Sequence, residues 1–295
     1  MDIADERSFR QRVMNRLATL AAQNGGTVTR AELSDFAIDG TKRRLIDHSR
    51  GIWNPRDLHG TLTVVSSPDG PYADRETDDG LLHYDYRAGS ADGDNTKLRR
   101  ALELELPLIL ARKIDTGVYV PIFPVYVVAD DRERRQFVLA LDESVRFLSD
   151  PLHLTDDQRR YAQRIARTRL HQPEFRGRVI RAYSVQCAVC TLKHGELLDA
   201  AHIIADSEAG GLPVVSNGLS LCKIHHAAYD RNLLGVSPDY HVHIDGELLA
   251  EIDGPMLLHG LQEMHGRVLA LPARKADQPD RDRLATRFDT FRKAS

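Results

Sequence analysis

The stretch from Leu221 to Asp230, "LCKIHHAAYD", sets a cysteine, two adjacent histidines and an aspartate within nine residues. Each of these side chains can ligate a metal ion. Cys222 and His225 repeat the spacing of Cys187 and Cys190 in "CAVC", two donors separated by two residues. Structural zinc takes four such donors in a tetrahedron, commonly two from a tight C-x-x-C turn and two from a second short knuckle. The four residues therefore predict a Cys3His site holding structural zinc. Three cysteines cannot all pair in disulfides, and all three fall in one 36-residue stretch. Metal binding fits that distribution better than a redox framework.

That site consumes His225 and leaves His226. If a helix begins at about Lys223, His226 and Asp230 lie one turn apart on one face and can offer an imidazole and a carboxylate to a single ion. Nitrogen and oxygen donors suit magnesium or manganese, with cobalt or nickel also compatible. An isolated H-x-x-x-D pair is most often a helix-stabilising surface pair. Its position beside a zinc knuckle makes it a candidate site.

Upstream, "LDAAHII" ends an apolar strand with His202, and "VVSNGLSLC" offers Asn217. Through "CAVC", "LDAAHII", "SNGLSLCKIHH" and "AAYD", the chain from Tyr183 to Tyr240 resembles the HNH, or ββα-metal, nucleases. The resemblance implies that His202 is the general base, that Asn217 orients the base-bearing loop and strand, and that His226 is a ligand of the catalytic ion. Asp230 matches a place where some members carry a further ligand. Ala201 departs from the pattern, because many members have Asp or His there as a metal ligand. Asp199 lies on the same face if the strand is regular and is one replacement; Asp230 is the other and the preferred one, with Asp199 second. The implied chemistry is phosphodiester hydrolysis. A neutral histidine takes a proton from the attacking water, and a divalent ion stabilises the charge that develops on the phosphate and the 3′ oxygen. An isolated histidine in a strand is more often a satisfied core residue; here the surrounding matches favour catalysis.

The elements that must position these residues belong to a chain of 295 residues, long enough for two domains. Hydrophobic content of 42% and charged content of 28% are those of a globular protein. No apolar run approaches the ~20 residues of a membrane span, and "MDIADERSFRQ" lacks the pattern of a secretory signal. The expected location is the cytoplasm, with no membrane partner. A net charge of −3 does not recommend a nucleic-acid binder. However, eight arginines lie between Arg159 and Arg181 against one acid, Glu174. They are either a solvated helix face or a local basic face for a DNA backbone.

From Phe9 to Ala22, Val13, Leu17 and Leu20 fall near helical spacing, "NGG" at 24–26 supplies a stop, and Thr29 is placed to cap a second short helix. Between about Gly51 and Leu141 the texture changes to β-type runs such as "TLTVVSS", "PLILARKI" and "GVYVPIFPVYVVA", with one helical piece, "NTKLRRALELE". These predict a curved sheet or small barrel. A helix follows Thr155, and the texture places the domain boundary near residue 150. The expected fold class is α+β. Residues 1–150 form a helical lead-in plus a barrel-like sheet, and residues 151–295 a zinc-stapled ββα-metal domain with its core at 183–240.

The segment "SSPDGPYADRETDDGLLHYDYRAGSADGDNTKLRRALELELPLI" resembles the SRA domains, of PUA-like fold, that recognise modified cytosine. The likeness spans about Val64 to Val128, with Pro71 interrupting the Gly-Tyr pair of the pattern. It implies a base flipped from the duplex, at a cost of a few kcal/mol, and held by stacking worth ~1–3 kcal/mol. Tyr72 and Tyr84 resemble the sandwiching aromatics, and Asp74 the acid facing the cytosine amino group. Trp53 reads as packing. Together the two resemblances imply a type IV-like restriction endonuclease acting on double-stranded DNA that carries modified cytosine such as 5-methylcytosine. One such site cuts one strand, so a homodimer is expected. The alternatives are an HNH nuclease or nicking enzyme indifferent to modification, and a non-catalytic zinc-containing DNA-binding protein.

Overall fold

The structure is a computed structural model that describes residues 1–67, 75–76, 80–86 and 93–294. The chain packs as two units, 1–22 with 26–174, and 23–25 with 175–295. In chain order the first unit holds α1 (Ile3–Gln23), β1 (Val28–Thr29), α2 (Arg30–Ser34), β2 (Phe36–Ile38), β3 (Thr41–Arg43), β4 (Ile52–Trp53), β5 (Thr63–Ser66), β6 (Arg75–Glu76) and β7 (Leu82–Asp85). There follow α3 (Asp94–Glu103), β8 (Leu108–Asp115), β9 (Val118–Asp131), β10 (Gln136–Ala140) and α4 (Asp156–Ala166).

Helix α1 forms where the apolar spacing requires it. Phe9, Val13, Leu17 and Ala21 recur every fourth residue and are buried, each large one contributing roughly 1.5–3 kcal/mol over an exposed position. Gly25 and Gly26 then take positive φ values of 70° and 97° and end the helix. Thr29 caps α2 in a reciprocal box with Glu32, as expected.

The sheet runs β4-β5-β8-β9-β10-β7-β6, with β1 beside β9. All its pairings are antiparallel except β5 with β8. Its curl comes from β9, which pairs with β8 over Val118–Val125 and with β10 over Tyr126–Asp131, with register shifts in both ladders. Strand β8 is buried on both faces: Leu108 and Leu110 join one core with Val120 and Phe137, while Ile109 and Ala111 join another with α1. This is why its first residues, "LILA", read as a continuous apolar run.

The break between units falls after Glu174 rather than near residue 150. Helix α4 belongs with the sheet, because Ala162 packs with Leu81, Val138 and Ala140, and Ala166 joins the core of Leu82 and Phe137. Gly80 allows the approach: at φ +77° its Cα faces the α4 backbone so closely that a Cβ would lie 2.2 Å from the Gln163 nitrogen. The arginine run is accordingly divided. It occupies α4, one π-helical turn at Arg167–His171, and α5 (Gln172–Ala182). Arg159 and Arg160 pair with Asp156 and Asp157 in the first turn of α4, and Arg169 donates to the Phe123 carbonyl at 2.6 Å. These three are committed to structural partners, so the run is no continuous unpaired basic face.

The second unit, from Phe175 through the rest of α5, continues with β11 (Leu198–His202), β12 (Gly218–Cys222), α6 (Lys223–Asp230), β13 (Leu234–Val236) and β14 (Val242–Ile244). Helices α7 (Gly246–Ala250), α8 (Pro255–Gly260) and α9 (Arg281–Ala294) complete it. β11 and β12 pair in unbroken antiparallel register from Leu198↔Cys222 to His202↔Gly218. Leu198, Ala201, Leu219 and Leu221 of this hairpin share a core with Val179 and Ile180 of α5 and with Ala228 and Tyr229 of α6. Among the described residues no helix is long and apolar enough to cross a membrane.

Candidate active site and metal centre

The structure brings Cys187, Cys190, Cys222 and His225 together, with one ligand atom from each lying within 4.8 Å of all the others. The first knuckle is closed by backbone bonds from Thr191 N to Cys187 O (2.9 Å) and from Cys187 N to Leu192 O (3.0 Å), and is tied to β12 by Ala188 N to Ser220 O (2.7 Å). In the second knuckle Cys222 sits at the N-cap of α6 with extended backbone, which turns its thiol towards His225 one helical turn later. His225 Nδ1 lies 3.1 Å from the Cys222 sulfur and 3.4 Å from the Cys187 sulfur. Its Nε2 donates to the Gly260 carbonyl at 2.8 Å. That bond fixes the tautomer and leaves the Nδ1 lone pair for the centre, the usual support of a metal-bound imidazole. With no ion bound, burial pulls the His225 pKa down, but Cys187 and Cys222 outweigh it and raise it to about 10, and a metal ion would take the place of that proton on Nδ1. Three sulfurs and one imidazole nitrogen in a closed, largely buried set are the donor chemistry of structural zinc.

The second constellation surrounds His226 on α6. Its Nδ1 lies 3.5 Å from Asp199 Oδ2 and its Nε2 3.4 Å from Asp230 Oδ2. The two carboxylates therefore occupy opposite sides of one ring. Asp199 also takes Lys223 Nζ at 2.5 Å and faces Arg176 Nε at 3.6 Å. Burial works to raise the Asp199 pKa, and Lys223, Arg176 and His226 outweigh it and hold it below the usual carboxylate range. Asp230 is 63% exposed, and His226 is the ion-pair partner seen for it. Among the described residues, the Cys3His set is the one group of three or more potential ligands within mutual reach; Asp199, His226 and Asp230 touch in series.

His202 ends β11 with its ring stacked on Phe175 of α5, centroids 4.0 Å apart and planes inclined by 13°. Asn217 is fully buried. Its side-chain oxygen accepts from Ile204 N (2.9 Å), and its amide nitrogen donates to Ile204 O (3.0 Å) and Leu212 O (3.0 Å). Its backbone carbonyl accepts from Ile203 N at 2.9 Å. Asn217 thus clasps the two residues after His202 and the far side of the loop between the strands. Gly218, opposite His202, leaves room for α5: a Cβ there would lie 2.5 Å from Val179 and 2.9 Å from the Phe175 ring.

Residues 187–237 match the HNH endonuclease family model. The matched segment spans both knuckles, the β11–β12 hairpin, α6 and β13. A comparison with curated proteins finds no match. Among solved structures, a "Modification dependent TagI restriction endonuclease" is similar at 19% identity, covering 88% of this chain and 89% of its own, with a TM-score of 0.28. That overlap in fold is slight.

Of the residues expected to hold a modified base, Tyr72 and Asp74 lie outside the described residues. Tyr84 is in β7 and 6% exposed, packed in the core with Ile52, Val64 and Phe137, its hydroxyl donating to the Gly51 carbonyl at 3.1 Å. Three contacts of the HNH segment carry no sequence signal of their own: the Phe175 stack, the Lys223–Asp199–Arg176 cluster and the Gly260 carbonyl. Each joins residues far apart in the chain that no spacing rule links.

Proposed function

We propose that the protein is a modification-dependent DNA endonuclease, cutting phosphodiester bonds at the HNH segment and selecting its sites through the first unit. The carrying observation is the family match over residues folded as a hairpin and helix, with His202 closing the first strand, Asn217 clasping the loop and His226 on the helix. In the reaction His202 accepts a proton from the water that attacks phosphorus, and the 3′ oxygen departs as the new P–O bond forms. Asn217 holds the chain after His202, so the imidazole is presented in one orientation. The Phe175 ring limits the imidazole from one face.

His226 and Asp230 would hold a divalent ion, which when bound supplies charge stabilisation at the scissile phosphate. The divided ring supports this pairing. Nε2 and Asp230 would hold the ion together, whereas Asp199, already engaged by Lys223 and Arg176, steadies Nδ1 from behind. Magnesium and manganese both suit one nitrogen and one carboxylate. Cys187, Cys190, Cys222 and His225 would hold structural zinc.

Selection by the first unit is supported by the likeness of residues 64–128 to SRA domains, together with the curled sheet they enter. The substrate is then duplex DNA bearing modified cytosine, and cutting both strands requires a homodimer or two binding events. The test is cleavage of matched duplexes carrying cytosine, 5-methylcytosine, 5-hydroxymethylcytosine or N6-methyladenine, with magnesium or manganese. The reading expects cutting confined to modified-cytosine duplexes. Equal cutting of all four would leave a nuclease indifferent to modification.

A further inference from the structure

The first unit contains a cavity of about 560 Å³ at the turn end of the β8–β9 hairpin. That is within the range of roughly 300–1,000 Å³ typical of ligand sites. Its walls bring Arg30, Arg50 and Lys113 together against one carboxylate, Asp115, in a chain whose net charge is −3. Concentrated positive charge in a concave wall runs against the overall balance, and a cleft focuses the field it creates.

The three cations are held differently. Arg30 donates to the carbonyls of Asp47 (3.0 Å) and His48 (2.9 Å) and to the Tyr119 hydroxyl (2.9 Å). Those acceptors fix its plane and leave its charge intact; among the described residues no carboxylate pairs with it. Lys113, opposite Tyr119 in the β8–β9 ladder, has neither a hydrogen bond nor an ion pair among the described residues. Arg50 makes one ion pair, with Asp94 at 3.3 Å, and is half exposed. The mounts are firm: Arg30 N donates to Gly117 O in the hairpin turn at 2.8 Å, and the Arg50 amide is held by the Asp47 carboxylate at 2.8 Å. A planar guanidinium beside an unpaired ammonium on fixed elements is suited to phosphate oxygens, the first by its fork and the second as a point charge.

We propose that this cavity binds a backbone phosphate of a nucleic-acid strand, with Lys113 and Arg30 as the contacting cations. The residues are distinct from Tyr72, Asp74 and Tyr84, and the site is indifferent to base identity. The proposal rests on the reading of the first unit as the DNA-binding part. It sharpens that reading by giving the unit a phosphate contact that sets the strand's position.

The test is equilibrium binding of the full-length protein to modified and unmodified duplexes across a salt series, without added magnesium or manganese. Lys113→Gln should weaken binding to every duplex by the same factor and lower the slope of log K against log salt by about 1. Lys113→Arg should restore the slope. A second variant, Arg30→Lys, should weaken all duplexes alike through loss of the fork. Unchanged affinity and slope in Lys113→Gln would overturn the site, as would a loss confined to modified duplexes. Binding of inorganic phosphate that depends on Lys113, without any effect on DNA affinity, would assign the cavity to a free anion and also overturn the proposal. Equal wild-type affinity for modified and unmodified duplexes would instead sink the reader function while leaving the phosphate site standing.

Discussion

At the scale of single residues, the imidazole of His226 decides how the two neighbouring aspartates differ. A ring nitrogen offers one lone pair, so the carboxylate on its own side is the one that can share an ion with it. Asp230 stands on the Nε2 side and is open to solvent, whereas Asp199 stands on the Nδ1 side within reach of two cations. Ala201 leaves the usual ligand position empty, and in the regular β11 register Asp199 shares its face. Lys223 nevertheless occupies the Asp199 oxygen nearest His226. Asp230→Asn is therefore expected to raise the manganese concentration needed for half-maximal cleavage more than Asp199→Asn does. The latter should cost about 10–100-fold, as removal of an orienting partner does. Metal titrations of both variants would check this, and the reverse ranking would make Asp199 the ligand.

At the scale of elements, the hairpin and the knuckles depend on a few buried groups. Asn217→Ala leaves the Ile204 amide and carbonyl and the Leu212 carbonyl without their partner, at about 1–3 kcal/mol for each unsatisfied group. The expected result is a lower urea midpoint with a fall in kcat larger than any change in KM, since the loop that presents His202 loosens. Zinc at the Cys3His set would have a similar reach. Elemental analysis should find about one zinc per chain, and removing it with a chelator should abolish the thermal transition of the second unit while that of the first persists, because metal binding to such a centre is part of its folding energy. A metal-free protein with both transitions intact would contradict the Cys3His centre.

These elements also show what is legible in a single sequence. The C-x-x-C and C-x-x-H spacings, Val13 and Leu17 of the α1 stripe, the Thr29 cap, the helix start after Thr155 and the β8 run each have a local period or signature, and each element forms where that signature lies, although Leu20 of the expected stripe is only half-buried. The unit boundary was not legible, because what assigns α4 to the sheet is the burial of Ala162 and Ala166 against distant strands. Nor was the fate of the arginines. Asp156 and Asp157 precede the run in sequence yet meet Arg159 and Arg160 one helical turn on. The SRA resemblance implies a stacking role for Tyr84, and its ring packs in the sheet core.

At the scale of the whole molecule, the first unit is pinned by an ion pair with no solvent exposure at either partner. Glu6 and Arg10 meet at 2.6 Å on successive turns of α1. Arg10 donates further to the carbonyls of Thr61, Pro107 and Gly60, and Glu6 accepts from the His59 amide. Arg10→Met removes one partner and strands the other charge, which should cost about 3–5 kcal/mol; a neutral effect in denaturant unfolding would contradict the buried pair. Burial acts to raise the Glu6 pKa, but the His59 amide and Arg10 outweigh it and lower it. Its contribution to stability is thus full above the ordinary glutamate range and lost as pH falls through its depressed value. The wild type should lose this part of its stability on acidification, and Arg10→Met should show a shallower acid dependence.

The central claim is that the HNH segment cuts DNA through His202. The most direct measurement is cleavage of a 5-methylcytosine duplex by wild type and by His202→Ala, with zinc content and DNA affinity measured on the same preparations. The expected result is cleavage by the wild type, a loss of at least about 10²-fold in His202→Ala as for a missing general base, and unchanged zinc and affinity. Equal cleavage by the two proteins, or none by the wild type with either ion, would contradict it.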